Sequence, residues 1–239
     1  MGELNPELLA GLAGFVVALI FASIPVGPIN LTIINEGARR GFAWAFLIGL
    51  GATAMDAIYC LLSFTGLSEF YDHGVVRSAM QLMSFVFLLV LGTRFMLAKS
   101  VKVPNKLDAT SERIEARMEQ KFRPHSAFAT GFLRVAANLG VPVAWVVLSA
   151  YLMSNRAFGC NQDWVADTLP AKVACVAGVI MATTLWFLFL SRQVSRSHGK
   201  FSEKTLLRMQ HISGLCLLLT ALYDGGLIVW HLAKHPHQP

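Results

Sequence analysis

Long apolar stretches separated by short charged segments dominate this chain. Six of these stretches contain at most one charged residue each, over residues 8–35, 41–68, 78–98, 126–155, 173–191 and 209–233. A helix of about 20 residues crosses a hydrocarbon core of about 30 Å. The pattern therefore predicts an all-α integral membrane protein with six transmembrane helices.

Turn residues interrupt the first and the fourth of these stretches. The first contains Pro25, Gly27 and Pro28, and the fourth contains Asn138 and Pro142. A proline inside a helix removes one backbone donor and leaves an earlier carbonyl without its partner, and hydrocarbon holds no water to replace either. Matching breaks in the two halves of a chain are typical of a substrate site between two repeats.

Three apolar stretches precede a charged central segment and three follow it. Because each half crosses the membrane an odd number of times, the halves have opposite orientations, as in an inverted-topology repeat. The predicted units are a first three-helix repeat over residues 1–98, a cytoplasmic charged loop over 99–125, and a second three-helix repeat over 126–239. Apolar residues at four-residue spacing in 111–122 predict an amphipathic helix in the loop.

Composition and charge placement agree with this topology. Of the 239 residues, 55% are apolar and 14% are charged, and the net charge is +6. Fourteen of the 20 Lys and Arg residues lie in alternate connections, at 39–40, 99–123 and 192–208. The positive-inside rule places these connections in the cytoplasm and both termini in the periplasm. The basic balance therefore reflects topology, and no nucleic-acid partner is expected.

The breaks are predicted to create a site for a carboxylate. Beyond Pro28, Asn30 begins a half-helix whose free backbone donors and positive dipole end point back into the membrane. In the fourth stretch, Pro142 opens the outer half-helix and Asn138 supplies a side-chain amide beside it. Together with the other residues of the first break, these groups form the predicted substrate site.

Two carboxylates lie near the middle of predicted spans, Asp56 in the second and Asp224 in the sixth. A charged Asp at that depth costs ~2.5–3.5 kcal/mol even on insertion scales, so each is expected to pair, to take up a proton or to line an aqueous cavity. Asp56 is predicted to couple transport to protons or to bind a substrate ammonium, and Asp224 is a second coupling candidate. The alternative is an ion pair with Arg134 or Arg94, and Arg134 is otherwise placed to guard the inner mouth of the pathway.

The sequence contains no spacing typical of a catalytic, cofactor or metal site in the spans. Its four cysteines are scattered and form no Cys-x-x-Cys pair. His231, His235 and His237 near the carboxyl end have no carboxylate or cysteine beside them. We therefore expect neither enzyme activity, nor a cofactor, nor a bound metal.

These residues together resemble the amino-acid exporters of the LysE/RhtB type. That family combines a Pro-Gly-Pro-like break in its first span, a Gly-flanked basic turn, an acid in the second span and an Asn-Pro in the fourth. The matching residues here are Pro25, Gly27 and Pro28 for the first break, Gly37 to Gly41 for the turn, Asp56 for the acid, and Asn138 with Pro142 for the second break.

The resemblance implies a six-span carrier of the bacterial inner membrane that exports amino acids or close derivatives, driven by the proton-motive force. Its partners are then the small-molecule substrate, protons and the lipid bilayer. The wider superfamily also contains metal-ion exporters, so a cation or metal-ion exporter of the same architecture is the alternative. The sequence leaves open which amino acid is moved, the coupling stoichiometry, and whether the carrier is a homo-oligomer.

Overall fold

A computed structural model of the protein describes residues 5–22, 28–68, 74–98, 126–154, 168–196 and 203–234. All regular structure within these residues is α-helical. In chain order the helices are α1 (Pro6–Ala22), α2 (Pro28–Arg40), α3 (Phe42–Ser68), α4 (Gly74–Met96), α5 (Ala127–Ala137), α6 (Gly140–Ser154), α7 (Leu169–Arg196) and α8 (Glu203–Lys234). The amphipathic helix predicted at 111–122 lies outside the described residues.

Length and apolar composition allow two of the described helices to cross a membrane by themselves, over Phe42–Gly66 and Leu169–Arg196. The pair Ala127–Ala137 and Gly140–Leu152 qualifies as a third crossing if it is one broken span. Shorter apolar helices cover Glu7–Ala22, Leu82–Met96 and Gln210–Tyr223. The all-helical prediction is confirmed within the described residues, and the prediction of six crossings stays a prediction.

The predicted interruption of the fourth apolar stretch is present in the structure. Between α5 and α6 the chain bends by 73°. The interruption is shorter than the sequence predicted, because only Asn138 and Leu139 separate the two helices and Pro142 already lies in the first turn of α6. Proline is tolerated there, since the first turn of a helix has no partner for its missing N–H.

The first apolar stretch is also divided between two helices. α1 ends at Ala22 and α2 begins at Pro28, on either side of Pro25 and Gly27, which lie outside the described residues. Proline suits the first position of a helix because its φ is preset and its missing N–H is not needed. The start of α2 at Pro28 agrees with this preference.

The Gly-flanked basic turn joins α2 to α3. Gly41 has φ +86°, a conformation that side chains with a Cβ rarely adopt, and its N–H bonds to the Gly37 carbonyl at 3.0 Å. Arg39 and Arg40 complete the last turn of α2, where positive charge is favoured by the helix dipole. The turn therefore ends one helix and starts the next without a loop.

The buried apolar side chains that the structure describes form two clusters. The larger cluster contains Ala18, Cys60 and Trp145, among other residues of α1, α3, α4, α6, α7 and α8. The smaller cluster contains Ala52 and Trp186 and draws on α2, α3, α5 and α7. Outward-facing positions of the helices also carry large apolar residues, as a lipid-exposed surface requires.

Small residues let α1 approach α7 at backbone contact. A Cβ added at Gly14 would overlap the carbonyl oxygen of Cys175, and one added at Gly178 would overlap the carbonyl oxygen of Gly11. Close packing through small residues is the usual way in which helices associate where lipid removes the hydrophobic driving force.

The contact between α3 and α5 is formed in the same way. A Cβ added at Gly131 would overlap the carbonyl oxygen of Ile48, and one added at Gly51 would overlap the carbonyl oxygen of Phe128. In both helix pairs a glycine of each helix meets a carbonyl of the other. In every one of these helices the glycine that meets a carbonyl lies three residues after the residue whose own carbonyl is met.

Candidate functional site

Asp56 is held by the indole of Trp145 across the interface between α3 and α6. The Nε1–H of Trp145 donates to Oδ1 of Asp56 at 2.9 Å, and Trp145 itself is buried. The ion pairs that the structure describes do not include Asp56. The ion pair of Asp56 with Arg134 or Arg94, the alternative that the sequence left open, is not among them.

At the break between α5 and α6, protein groups supply hydrogen bonds to the backbone groups that lose their helical partners. In a continuous helix the carbonyl of Ala136 would accept from the N–H of Gly140. Here that carbonyl accepts from the Tyr59 hydroxyl at 3.1 Å instead. The N–H of Gly140 bonds to Oδ1 of Asn138 at 3.0 Å. Asn138 therefore acts as a cap of α6, a role for which Asn is among the preferred residues.

Asn30 performs a similar task at the first break. Its Nδ2 donates to the carbonyl of Ala22, the last residue of α1, at 3.1 Å. Its Oδ1 accepts from the Nε1–H of Trp186 at 3.3 Å, and the Asn30 side chain is buried. The amide thus joins α1, α2 and α7 at the point where the first apolar stretch is divided.

Five polar side chains take part in the hydrogen bonds that join the halves of the broken stretches to other helices, and we call them the polar midlayer: Asn30, Asp56, Tyr59, Trp145 and Trp186. Along α3, Asp56 stands between Ala52 of the smaller cluster and Cys60 of the larger one. Each cluster contributes one tryptophan, and each indole donates to one polar side chain. These hydrogen bonds therefore connect both breaks and the carboxylate to helices that pack against them.

Thr53 adds a further polar group to α3, one turn before Asp56. It is buried, and its hydroxyl has no hydrogen-bond partner among the described residues. Residues three apart share a face of a helix, so Thr53 and Asp56 line the same side of α3. An unsatisfied buried hydroxyl is costly and fits a position that a ligand completes.

Arg134 lies near the end of α5 and donates to the hydroxyl of Thr32 in α2. The two residues line a cavity of about 450 Å³ between these helices. Glu36 and Arg39 of α2 also line it. We call these four residues the α2–α5 vestibule. The prediction that Arg134 guards the inner mouth of the pathway stays a prediction.

The structure describes the remaining predicted site residues only in part. Pro28 and Pro142 lie in the first turns of α2 and α6, so each is at the amino-terminal end of its helix. Asp224 belongs to α8, but its side chain lies outside what the structure describes. Pro25 and Gly27 lie outside the described residues altogether.

Sequence reasoning did not single out Trp145, Trp186, Tyr59 or Thr53. Aromatic residues in apolar stretches read as core, and their N–H and O–H groups gain meaning only when a partner from another helix is known. A usable signal was present at Tyr59 and Thr53, because each lies one turn from Asp56 on α3.

Within the described residues, no group of three or more His, Cys, Asp and Glu side chains is arranged to hold a metal ion. The described cysteines, Cys60, Cys175 and Cys216, are unpaired thiols. Cys60 and Cys175 belong to the larger apolar cluster, where they pack as small apolar side chains.

Comparison with known proteins identifies the family. The family described as LysE type translocator matches residues 20–223. The chain is 26% identical over 211 residues to the "Putative amino acid efflux protein YcgF" of Bacillus subtilis (strain 168), covering 88% of this chain and 93% of that protein. No solved structure matches the chain at a significant level. The matched region contains both breaks and the whole polar midlayer, and the chain belongs to the LysE type translocator family.

Proposed function

We propose that this translocator exports amino acids or close derivatives across the bacterial inner membrane in exchange for protons. In this proposal the chain crosses the membrane six times, with α1 and α2 forming the first span and α5 and α6 the fourth. Both termini are periplasmic and residues 99–125 are cytoplasmic, since the Lys and Arg residues concentrate in the inner connections.

The repeated contacts of the glycines support an inverted repeat. Gly14 packs on α7 and Gly131 packs on α3. The separation in sequence between Gly14 and Gly131 equals that between Pro25 of the first break and Pro142 of the second. The two breaks therefore correspond by the contacts of their helices as well as by their residue types.

The other two helix pairs fit the same relationship. Gly51 of α3 corresponds to Gly178 of α7, and each faces a carbonyl of its broken partner helix. Gly92 of α4 and Gly214 of α8 face each other, and an added Cβ at either one would lie about 3 Å from the carbonyl oxygen of the other. A twofold axis passing between α4 and α8 would relate the three sets of contacts, which support the proposed repeat.

The observation that carries the proposal is the Asp56 carboxylate in the polar midlayer. A carboxylate at this depth is costly unless it is compensated, and its partner among the described residues is the neutral indole of Trp145. Such a group can bind either a proton or the ammonium of a substrate. Competition of the two for one carboxylate would couple proton uptake to substrate release.

The substrate carboxylate would then bind at the half-helix ends. The start of α2 at Pro28 and the start of α6 near Pro142 are the positive ends of helix dipoles. Asn30 and Asn138 lie beside these ends but also cap the breaks, so we assign them to the shape of the site as well as to binding. The Thr53 hydroxyl supplies a further polar group on the side of Asp56.

The name of the Bacillus subtilis relative gives independent support for the substrate class, because that protein is named for amino acid efflux. A second candidate function is export of a metal or other cation, as in related exporters. The two functions require different ligands and are separated by one experiment.

We would test the proposal with the purified protein in liposomes loaded with labelled amino acids. An inward proton gradient should accelerate efflux above the rate in protein-free liposomes, and a protonophore should abolish the acceleration. Mn²⁺ and Zn²⁺ should not compete. Metal-inhibited efflux together with uptake of the metal would favour the cation exporter, and a rate equal to that of protein-free liposomes for every amino acid would refute the proposed function.

A further inference from the structure

The α2–α5 vestibule carries an uneven set of charges. Two guanidinium groups, Arg39 and Arg134, and one carboxylate, Glu36, line its cavity. The volume of about 450 Å³ is within the usual range for small-molecule pockets. A space of this size admits a single amino acid, and its walls carry one more positive than negative charge.

The single carboxylate of the vestibule is already engaged by arginines. Oε2 of Glu36 lies 3.0 Å from Nε of Arg40, and Oε1 lies 3.6 Å from Nη1 of Arg39. The Arg40 guanidinium is held further by the ring of Trp44, 4.6 Å away. A cationic ligand would have to displace one of these arginines in order to reach Glu36.

Arg134 is positioned rather than loosely exposed. Thr32, which accepts its hydrogen bond, is buried, and Arg134 lies in the last turn of a helix whose Ser126 cap is formed. A guanidinium fixed in this way favours a planar carboxylate, which it can bind with two parallel hydrogen bonds.

The vestibule adjoins the polar midlayer along both of its helices. In α2, Thr32 follows Asn30 by two residues, and in α5, Arg134 precedes Ala136 by two residues. Ala136 in turn accepts the hydrogen bond of Tyr59, which is one turn from Asp56. A ligand in the vestibule is therefore connected to Asp56 through α5 and Tyr59.

We infer that the α2–α5 vestibule is a selectivity site that receives the carboxylate of neutral and acidic amino acids on Arg134 and rejects cationic amino acids. This inference rests on the proposed function. The rejection follows from the charge of the walls, because lysine or arginine would bring a second positive charge to a site whose one carboxylate is shared by two arginines.

The test is counterflow exchange in proteoliposomes with L-leucine, L-glutamate and L-lysine as labelled substrates. The wild-type protein should exchange leucine or glutamate at least about tenfold faster than lysine. Arg134→Gln should raise the half-saturating concentration for the exchanged amino acid about tenfold, the cost of losing a hydrogen bond to a charged group. Arg134→Lys should recover part of this loss, and Arg134→Glu should admit lysine.

Arg208→Gln is the matched control, because it removes an exposed arginine from α8, a helix that does not line the cavity. It should leave the half-saturating concentrations unchanged. Equal exchange of lysine and leucine by the wild-type protein would overturn the inference and leave the proposed function standing, and this arm needs no variant to fold. Absence of exchange for every amino acid would overturn the proposed function and the inference together.

Discussion

The indole N–H of Trp145 in α6 donates to the carboxylate of Asp56 in α3, with 2.9 Å between Nε1 and Oδ1. This hydrogen bond joins α6, the second helix of the broken pair, to Asp56. Within the apolar stretches, Asp56 is the only acid whose side chain the structure describes. Several properties of the translocator can be tested from it.

Asp56→Asn removes the titratable group but keeps an oxygen that can accept from Trp145. We expect the variant to lose uphill export driven by a proton gradient and to retain exchange of substrate, because exchange needs binding without proton turnover. Export and exchange would be measured in the same proteoliposomes, with Asp56→Glu as the variant that restores a carboxyl group. Loss of exchange as well would indicate that Asp56 grips the substrate ammonium. Wild-type pH dependence of export in Asp56→Asn would move the coupling role to Asp224.

Trp145→Phe keeps the ring and removes the indole donor. A hydrogen bond to a charged group contributes about 1.5–3 kcal/mol and one between neutral groups about 0.5–1.5 kcal/mol. We therefore expect Trp145→Phe to lower thermal stability in detergent more in the wild-type background than in Asp56→Asn. Trp186→Phe, which removes the donor to Asn30, provides the comparison and should be additive with Asp56→Asn. Equal effects of Trp145→Phe in both backgrounds would show that the indole does not sense the carboxylate.

Asn138 can be tested separately as a cap and as a substrate ligand. Asn138→Ala should destabilise the protein by about 0.5–2 kcal/mol, the usual cost of losing a helix cap. Asn138→Asp and Asn138→Ser keep an oxygen that can accept from the Gly140 N–H, so stability should return in both. Melting temperature and exchange rate would be measured in parallel. Recovery of stability without recovery of exchange would assign the Asn138 amide to the substrate.

Gly131→Ala should strongly impair folding or insertion. The added Cβ would overlap the carbonyl oxygen of Ile48, so α3 and α5 would have to separate, and overpacking of this kind typically costs about 1–3 kcal/mol. Gly66→Ala is the matched control in α3, since no atom of the described residues lies within 4 Å of its added Cβ. Alanine is the better helix former by about 0.5–1 kcal/mol, so this control should be as stable as the wild type or more so. The amount of monodisperse protein extracted in detergent measures both effects.

The proposed topology predicts which positions can be labelled from outside the cell. In a variant without native cysteines, a single cysteine at Ser68 or Asn155 should react with an impermeant thiol reagent in intact cells. A cysteine at Ser111 or Ser197 should react only after permeabilisation, because these positions lie in the connections rich in Lys and Arg. Labelling at Ser111 in intact cells would reverse the orientation.

The sequence by itself determined the helical class, the interruption of the fourth stretch and the candidate acid. These features depend on local chemistry: apolar length defines a membrane helix, a proline with Asn or Gly limits where a helix can continue, and an acid in an apolar stretch stands out by its cost. Gly41 is a further case, because a glycine after a basic last turn is a local signal for the end of a helix. Each of these signals is complete within a few residues of chain.

Only the tertiary structure decided what these residues touch. The Trp145 indole donates to Asp56 and the Tyr59 hydroxyl donates to the carbonyl of Ala136, because helices distant in sequence bring these groups within hydrogen-bond reach. The cavity beside Arg134 likewise exists only because α5 packs near α2. Hydrogen bonds and charges act over a few ångströms, whereas spacing along the sequence orders groups on one helix and leaves their partners on other helices undetermined.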